Sequence, residues 1–272
     1  MTLSIVIVNW NTKDLIKQCI ESLFSSVTAG LDYEIIVIDN ASADGSIGYL
    51  DSVSNKIVLI KNSENSGYAR AANRGMKIAK GRFVLLLGSD TIIRKNTLEE
   101  CVNFLETHTD FGAVGCRLLN PDGSTQNSCK KFPSFKNAFY TYLSLDSLNK
   151  DYDMSSFKYD KTVPVEQIAA TFLMIRRDVL EKINFFDESY RILYNDVVLC
   201  RKIWDAGYKI YFLHTCSIIH YGSRSTKKAG FKLRKIMYGD IYRFYKNHFG
   251  FKAKLLYPIL VFRLLVVSTI KA

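Results

Sequence analysis

Apolar residues follow two rhythms along this chain. Short runs rich in β-branched side chains, at 4–8, 34–39, 56–61, 83–88 and 113–118, alternate over the first 120 residues with stretches of helical spacing. From Thr12 to Ser25 the positions Leu15, Ile16, Cys19, Ile20, Leu23 and Phe24 form one stripe, which predicts a helix packed on a sheet. Two further helices are predicted over Tyr68–Lys80 and Leu98–Thr107. Strands joined by crossover helices give an α/β fold, Rossmann-like, whose mostly parallel central sheet is buried on both faces by flanking helices.

The turn signal Asn120-Pro121-Asp122-Gly123 ends that regularity. Residues 124–162, rich in Lys, Ser, Tyr and Phe without a clear period, read as a long excursion. Strand character returns at Ile168–Arg176, followed by helices at Asp178–Ile183 and Asn195–Ala206 and strands at Lys209–Phe212 and Ser217–His220. Beyond Gly230 comes a basic, aromatic helical pattern and then Leu255–Ile270, mostly apolar but interrupted by Pro258 and Arg263. At about 1.5 Å per residue that run reaches roughly 24 Å, short of a hydrocarbon core of about 30 Å, so it is expected to lie on a membrane. A domain over 1–225 and a tail over 226–272 follow.

Composition excludes several classes. With 272 residues, 48% hydrophobic, 23% charged and only 4 prolines, the chain is neither disordered nor low in complexity. Its 6 cysteines are scattered without a C-x-x-C pair, which disfavours a zinc ribbon or a disulfide scaffold and suits a reducing compartment. The start at Ser4-Ile5-Val6-Ile7-Val8 lacks the charged region of an export signal, so a cytoplasmic protein is expected.

Net charge is +11, and all of it lies toward the carboxyl end: of 37 Lys and Arg and 26 acids, residues 221–272 hold 12 bases against the single acid Asp240. Lys232, Arg234, Lys235, Arg243, Lys246, Lys252 and Lys254 interleave with Tyr238, Tyr242, Phe244, Tyr245, Phe249 and Phe251. That pattern suits an interfacial helix on anionic lipid at the inner face of the cell membrane. A solvated charged face is the plainer reading, and a homo-oligomer is another way to cover the apolar run. Nucleic-acid binding through the same side chains is disfavoured by the neutral first 220 residues.

Ligands of open parallel sheets bind beyond the carboxyl ends of the strands. The polar residues there are Asn9-Trp10-Asn11-Thr12, Asp39-Asn40-Ala41-Ser42 and Gly88-Ser89-Asp90. Asp39 could accept a hydrogen bond from a base and Asp90 could hold a divalent cation, although a lone strand-end Asp more often caps the next turn. The segment from Asn65 to Gly75, with Gly67, Arg70, Asn73 and Arg74, is either a capped helix with a small packed face or a phosphate or base contact.

Taken in order, Ser4 to Asn11, Val37-Ile38-Asp39-Asn40-Ala41-Ser42 and the 65–75 segment resemble family 2 glycosyltransferases of the GT-A fold. The likeness runs on through Arg176-Arg177, Phe185-Phe186-Asp187-Glu188, Tyr194 to Cys200, Ala206-Gly207-Tyr208 and His220-Tyr221-Gly222-Ser223, within about 3–225. The subgroup it is most similar to is the bacterial rhamnosyltransferases of polysaccharide and O-antigen assembly.

The resemblance implies a nucleotide-binding half, 1–120, and an acceptor half, 121–225. It implies a pocket for a nucleotide-diphospho-sugar, dTDP-rhamnose or a UDP-sugar, lined by Val8, Asn9, Asn11, Asp39, Ala41, Asn65, Gly67, Arg70, Asn73, Ser89 and Asp90. Mg²⁺ or Mn²⁺ would sit at Asp90 and His220, and Asp196 would be the general base of an inverting transfer to a lipid-linked or growing glycan. Two departures stand out: Gly88 and Ser89 replace the usual Asn and Pro, and Asn195 and Val198 replace two acids of the E-D-x-D run. They point to an altered acceptor, a weaker metal requirement, or a catalytically silent nucleotide-sugar-binding scaffold. His108, His214 and His248 have no metal-ligand spacing with one another and read as structural.

Overall fold

The computed structural model describes residues 1–26, 30–222 and 231–269; Ser223, the expected boundary at 225 and Ile270 lie outside the described residues. In β1 (Leu3–Asn9), Leu3, Ile5 and Ile7 enter one core and Val6 another. The same division separates Ile35 and Val37 from Ile36 and Ile38 in β2 (Tyr33–Asp39), and Leu85 and Leu87 from Val84 and Leu86 in β4 (Phe83–Gly88). Because side chains alternate across a strand, these apolar runs present two faces to be covered. Helix α1 (Lys13–Ser26) covers the first with Ile16, Cys19, Ile20 and Leu23, and α3 (Tyr68–Ile78) the second with Ala69, Ala72 and Met76.

With β3 (Val58–Lys61), these strands form a parallel block in the order β3, β2, β1, β4. Strand β10 (Phe172–Arg176) then runs antiparallel between β4 and β6 (Phe111–Leu119). Next comes β11 (Lys209–His220), parallel to β6, with β5 (Thr91–Ile93) antiparallel at its far edge and β8 (Val163–Val165) off the path. The expected parallel strands are therefore present but split: β6 is separated from the parallel block by β10.

Three expectations shift. The run 168–176 is not one strand: β9 (Gln167–Ile168) pairs with β7 (Cys129–Lys130) in a small second sheet, and only Phe172 onward joins the main one. The pieces at 209–212 and 217–220 are one strand whose register shifts between Leu213 and Ser217. The excursion holds α5 (Phe135–Tyr142), closed by a capping box at Ser134. Helices α2 (Ser46–Ser52), α4 (Thr97–Thr107), α6 (Arg177–Lys182) and α7 (Asn195–Asp205) complete the domain.

The tail folds onto the domain. Helix α8 (Phe231–Phe249) and, after a short 3-10 segment, α9 (Tyr257–Thr269) build a third core in which Ile241, Phe244, Tyr245, Leu256 and Leu260 meet Ala138, Tyr190, Val197 and Val198. Phe244 and Tyr245 are buried there, out of reach of lipid or of a nucleic-acid base. The outward side keeps Phe251, Leu255 and Phe262 at 79%, 62% and 67% exposure. Among the described residues no helix is long and apolar enough to cross a membrane.

Gly75 shows how tightly α3 lies on the sheet. A Cβ there would stand 2.6 Å from Val6 Cγ1 and 2.5 Å from Ile38 Cδ1. On an exposed helix Gly→Ala gains up to about 1 kcal/mol, but here overpacking against stiff β-branched residues dominates. Gly75→Ala is expected to lower the unfolding free energy by about 1 to 3 kcal/mol, as read from a fall in the urea midpoint at unchanged slope.

Candidate active site

At the carboxyl ends of β1 and β2 a buried polar cluster forms. Asn9 Nδ2 donates to Asp39 Oδ1 at 2.7 Å and to Ser42 Oγ at 3.1 Å, and Asp39 Oδ2 accepts the Ser42 N–H at 3.0 Å. Asn11 and Ala41 take left-handed backbone angles, φ 53° and 61°, and the Asn11 N–H donates to Ser42 Oγ at 3.0 Å. Thr12 Oγ1 lies 2.7 Å from Asn9 Oδ1 and 3.0 Å from Ser89 Oγ. These bonds bring Asn9, Asn11, Asp39, Ala41 and Ser89 together, with Val8 half-buried beside them. Asp39 itself has no exposed surface, so in this structure its carboxylate fixes the loop and does not face solvent.

Asn40 ties the next loop in. Its Oδ1 accepts from Asn62 Nδ2 at 2.8 Å and the Ser66 N–H at 3.0 Å, while its Nδ2 donates to Asn65 Oδ1 at 2.9 Å. Asn65 Oδ1 also takes the Gly67 N–H at 3.0 Å. Gly67 has φ 84° and a Cβ there would press on Arg191 O at 3.2 Å, so both conformation and space require glycine. Arg70 pairs with Glu188 at 3.2 Å. Asn73 donates to Glu188 Oε1 at 2.9 Å and to Phe186 O at 3.1 Å and accepts the Phe186 N–H at 3.0 Å. Both residues thus hold the 185–188 loop, where the sequence had offered a phosphate or base contact for Arg70.

Asp90 and His220 meet. His220 Nε2 lies 3.4 Å from Asp90 Oδ2, with side-chain exposures of 14% and 18%. Gln126 Nε2 donates to Asn120 Oδ1 and to His220 O, each at 2.7 Å, which leaves Gln126 Oε1 to accept from His220 Nδ1 at 2.7 Å. That assignment puts the proton of a neutral imidazole on Nδ1 and aims the Nε2 lone pair at a carboxylate. Two acceptors at that separation call for a proton or a cation between them. Orientation of a ligating histidine by an outer partner is the usual arrangement at metal sites. No group of three or more His, Cys, Asp or Glu side chains able to hold a metal occurs among the described residues, so this pair would need oxygens from substrate or water.

Asp196 stands in the first turn of α7. Burial pushes its carboxyl above the usual range; the N–H groups of Val197 and Ala170 and the Lys130 cation oppose that. Ala170 adjoins Thr171, whose carbonyl accepts the Gly88 N–H at 2.8 Å and whose methyl flanks Gly88 and hence Asp90. The base candidate and the cation pair therefore sit on either side of one two-residue segment, at the end of the sheet where β1, β2 and β4 finish.

Sequence reasoning missed four side chains here. Tyr68 and Tyr152 are both kept un-ionised by burial and, to a lesser extent, by the Asp196 charge. Lys130 reaches Asp153 at 2.6 Å and lies over the Tyr152 ring at 5.1 Å. Gln126, Lys130 and Tyr152 all come from the excursion, which has no period to read. Asn195 Oδ1 is buried with no hydrogen-bond partner among the described residues. A cavity of about 570 Å³ opens at the opposite end of the sheet, lined by Met1, Arg82, Glu106, Arg176 and Asp178. Within it Arg82 pairs with Glu106 and Arg176 with Asp178.

Comparison with known proteins follows the same lines. Residues 4–183 match the model of glycosyl transferase family 2. Over 136 residues the chain is 39% identical to the poly(ribitol-phosphate) beta-glucosyltransferase of Bacillus spizizenii, covering 48% of this chain and 22% of that protein. It is 23% identical over 230 residues to the rhamnosyltransferase WbbL of Escherichia coli K12, covering 82% and 84%. It spans less than two-thirds of the Bacillus enzyme and of other relatives. In fold it resembles Staphylococcus aureus TarS 1–349 in complex with UDP-GlcNAc, at TM-score 0.59 and 18% identity over 89% of this chain and 66% of that one. GalNAc-T7 with UDP, GalNAc and Mn²⁺ gives TM-score 0.61 at 16% identity, over 81% and 44%.

The raised Asp196 carboxyl carries a stability cost whose sign is fixed. As pH rises past about 3.9 the unfolded chain ionises first, so the penalty on folding grows until the folded group ionises too and holds constant above that pH. Asp196→Asn should raise the melting temperature near neutral pH, with the gain vanishing below about pH 4, as followed by thermal melts across pH.

Proposed function

The chain belongs to glycosyl transferase family 2, and we propose that it moves a sugar from a nucleotide diphosphate to a lipid-linked or growing glycan during assembly of a bacterial cell-surface polysaccharide. One observation carries the reading: Asp90 with His220, and Asp196, flank the same Ala170–Thr171 segment at the ligand-binding end of the sheet. Rhamnose from dTDP-rhamnose is the leading donor, supported by the likeness to WbbL over most of both chains. A UDP-sugar is the alternative, suggested by the ligands of TarS and GalNAc-T7.

An acceptor hydroxyl is a weak nucleophile, so Asp196 takes its proton as the oxygen attacks the anomeric carbon and the diphosphate leaves from the opposite face. Configuration inverts. A carboxyl raised by burial holds that proton better than an exposed one, bringing it nearer the working pH of a general base. The Asp90 and His220 donors fit a hard divalent cation that keeps its other positions for phosphate and water. Mg²⁺ or Mn²⁺ bound there would stabilise the charge growing on the leaving diphosphate. Asn9, Asn11, Asp39 and Ala41 shape the loop under the nucleotide, and Asn65 and Gly67 its neighbour.

Work on a lipid-linked acceptor places the enzyme at the inner face of the cell membrane. Phe251, Leu255 and Phe262 are exposed on the outer side of the tail, beside exposed Lys252 and Lys254. Apolar rings flanked by cations suit an anionic bilayer.

Asp196→Asn should cut transfer by about 10²- to 10⁴-fold while nucleotide binding persists in a thermal-shift panel of dTDP-, UDP- and GDP-sugars with and without Mn²⁺. Wild-type protein that no nucleotide sugar stabilises, or transfer untouched by the substitution, would overturn the reading; donor binding with no transfer by the wild type would favour a silent scaffold. Separately, Phe251→Ser with Phe262→Ser should abolish flotation with anionic liposomes at unchanged activity on a soluble acceptor. A shift from dimer to monomer in the same variant, without a change in flotation, would assign that surface to a second copy instead.

A further inference from the structure

The only acid of the tail is spent on the loop that carries the base. Asp240, on α8, is 1% exposed, and Arg243, one turn along, pairs with its Oδ1 at 3.5 Å. Its Oδ2 accepts the N–H groups of Ile192 at 2.8 Å and Leu193 at 3.1 Å, and its Oδ1 that of Arg191 at 3.3 Å. Three successive backbone donors converging on one carboxylate form an anion cradle, and charge-assisted bonds of this kind are the strong ones. The loop they fix leads directly into Tyr194, with φ 65°, and then Asn195 and Asp196.

The rest of that helix face acts on the same loop. The Tyr194 ring stacks on Phe244 with centroids 4.4 Å apart, and Arg243 donates to Ser189 O. Asn247 Nδ2 reaches Tyr190 OH at 3.3 Å. Residues 240, 243, 244 and 247 lie one helical turn apart, so one stripe of α8 holds residues 189–194 throughout. From the other side the Arg191 carbonyl rests against Gly67.

We propose that Asp240 is a positioning residue: through the 191–193 cradle it sets the orientation and burial of Asp196, which makes the tail part of the catalytic unit as well as its outer surface. The proposal rests on Asp196 as the base. Asp240→Asn keeps the shape but swaps an acceptor for an amide that turns N–H toward N–H. The loop then loosens, and Asp196 becomes better solvated. Turnover is expected to fall by roughly ten- to a hundredfold, the scale of a small misplacement at a reacting centre. Donor KM stays constant. The acidic limb of the turnover–pH profile moves to lower pH, because renewed solvation lowers a carboxyl that burial had raised. Amide exchange at Ile192 and Leu193, slow in the wild type, becomes fast. Asp240→Glu, which retains the charge, should fall between the two and serves the same readouts if the Asn variant does not fold.

Transfer that survives Asp196→Asn would sink the base assignment itself. If Asp196→Asn abolishes transfer but folded Asp240 variants keep the wild-type turnover and acidic limb, the positioning role alone is overturned. Collapse of both Asp240 variants under conditions where Asp196→Asn is folded would overturn it too, since the carboxylate would then hold the fold rather than the base.

Discussion

The hydrogen bond from the Gly88 N–H to Thr171 O is the seam on which the site depends. Strand β10 enters the sheet antiparallel, so its amino-terminal end lies where the parallel strands finish. That places Ala170–Thr171 between the end of β4, with Asp90, and the start of α7, with Asp196. Had β10 been parallel, those residues would sit at the Arg82–Arg176 end, beside the cavity there. One reversal of strand direction therefore decides which polar residues share a crevice.

The site also shows what function costs. Asp196 is held where its charge is disfavoured, and the backbone N–H groups of Val197, Ala170 and Asp196 itself, with the Lys130 cation, mitigate that only in part. Asn195 Oδ1 beside it has no hydrogen-bond partner among the described residues. A chain selected for stability alone would leave neither. Strain of this kind collects at reactive centres because a well-satisfied, fully ionised carboxylate is a poor proton acceptor.

Sequence made the parallel block legible because each strand there is apolar on both faces and each crossover helix carries one stripe; β1, β2, β4, α1 and α3 could be read from period alone. Strands β7 and β9, of two residues each, and β8, of three, are too short to have a period. Asp39, Asp90 and Asp196 were visible as strand-end and helix-start acids in a familiar order. Gln126, Lys130 and Tyr152 were not, because Gln126 and Tyr152 lie outside any strand or helix and Lys130 lies in a strand of two residues. Asp240 was the hardest to see: one acid among basic residues looks like a surface ion pair until its three backbone donors are known.

The two missing acids of the E-D-x-D run have a physical explanation in the third core. Val198 is 8% exposed and packs with Ile241, Phe244 and Tyr245, and Asn195 is 6% exposed. A carboxylate at 198 would lie under the tail, and one at 195 would be buried as well, a penalty of several kcal/mol unless a partner ion came with it. Covering α7 with α8 therefore favours a neutral residue at 198, and burial favours one at 195. The same cover supplies Asp240 from the opposite side, where three N–H donors are ready to receive it. Carboxylate is not lost from this neighbourhood so much as moved: from the helix that bears the base to the helix that holds its loop, where the charge is solvated by backbone instead of water.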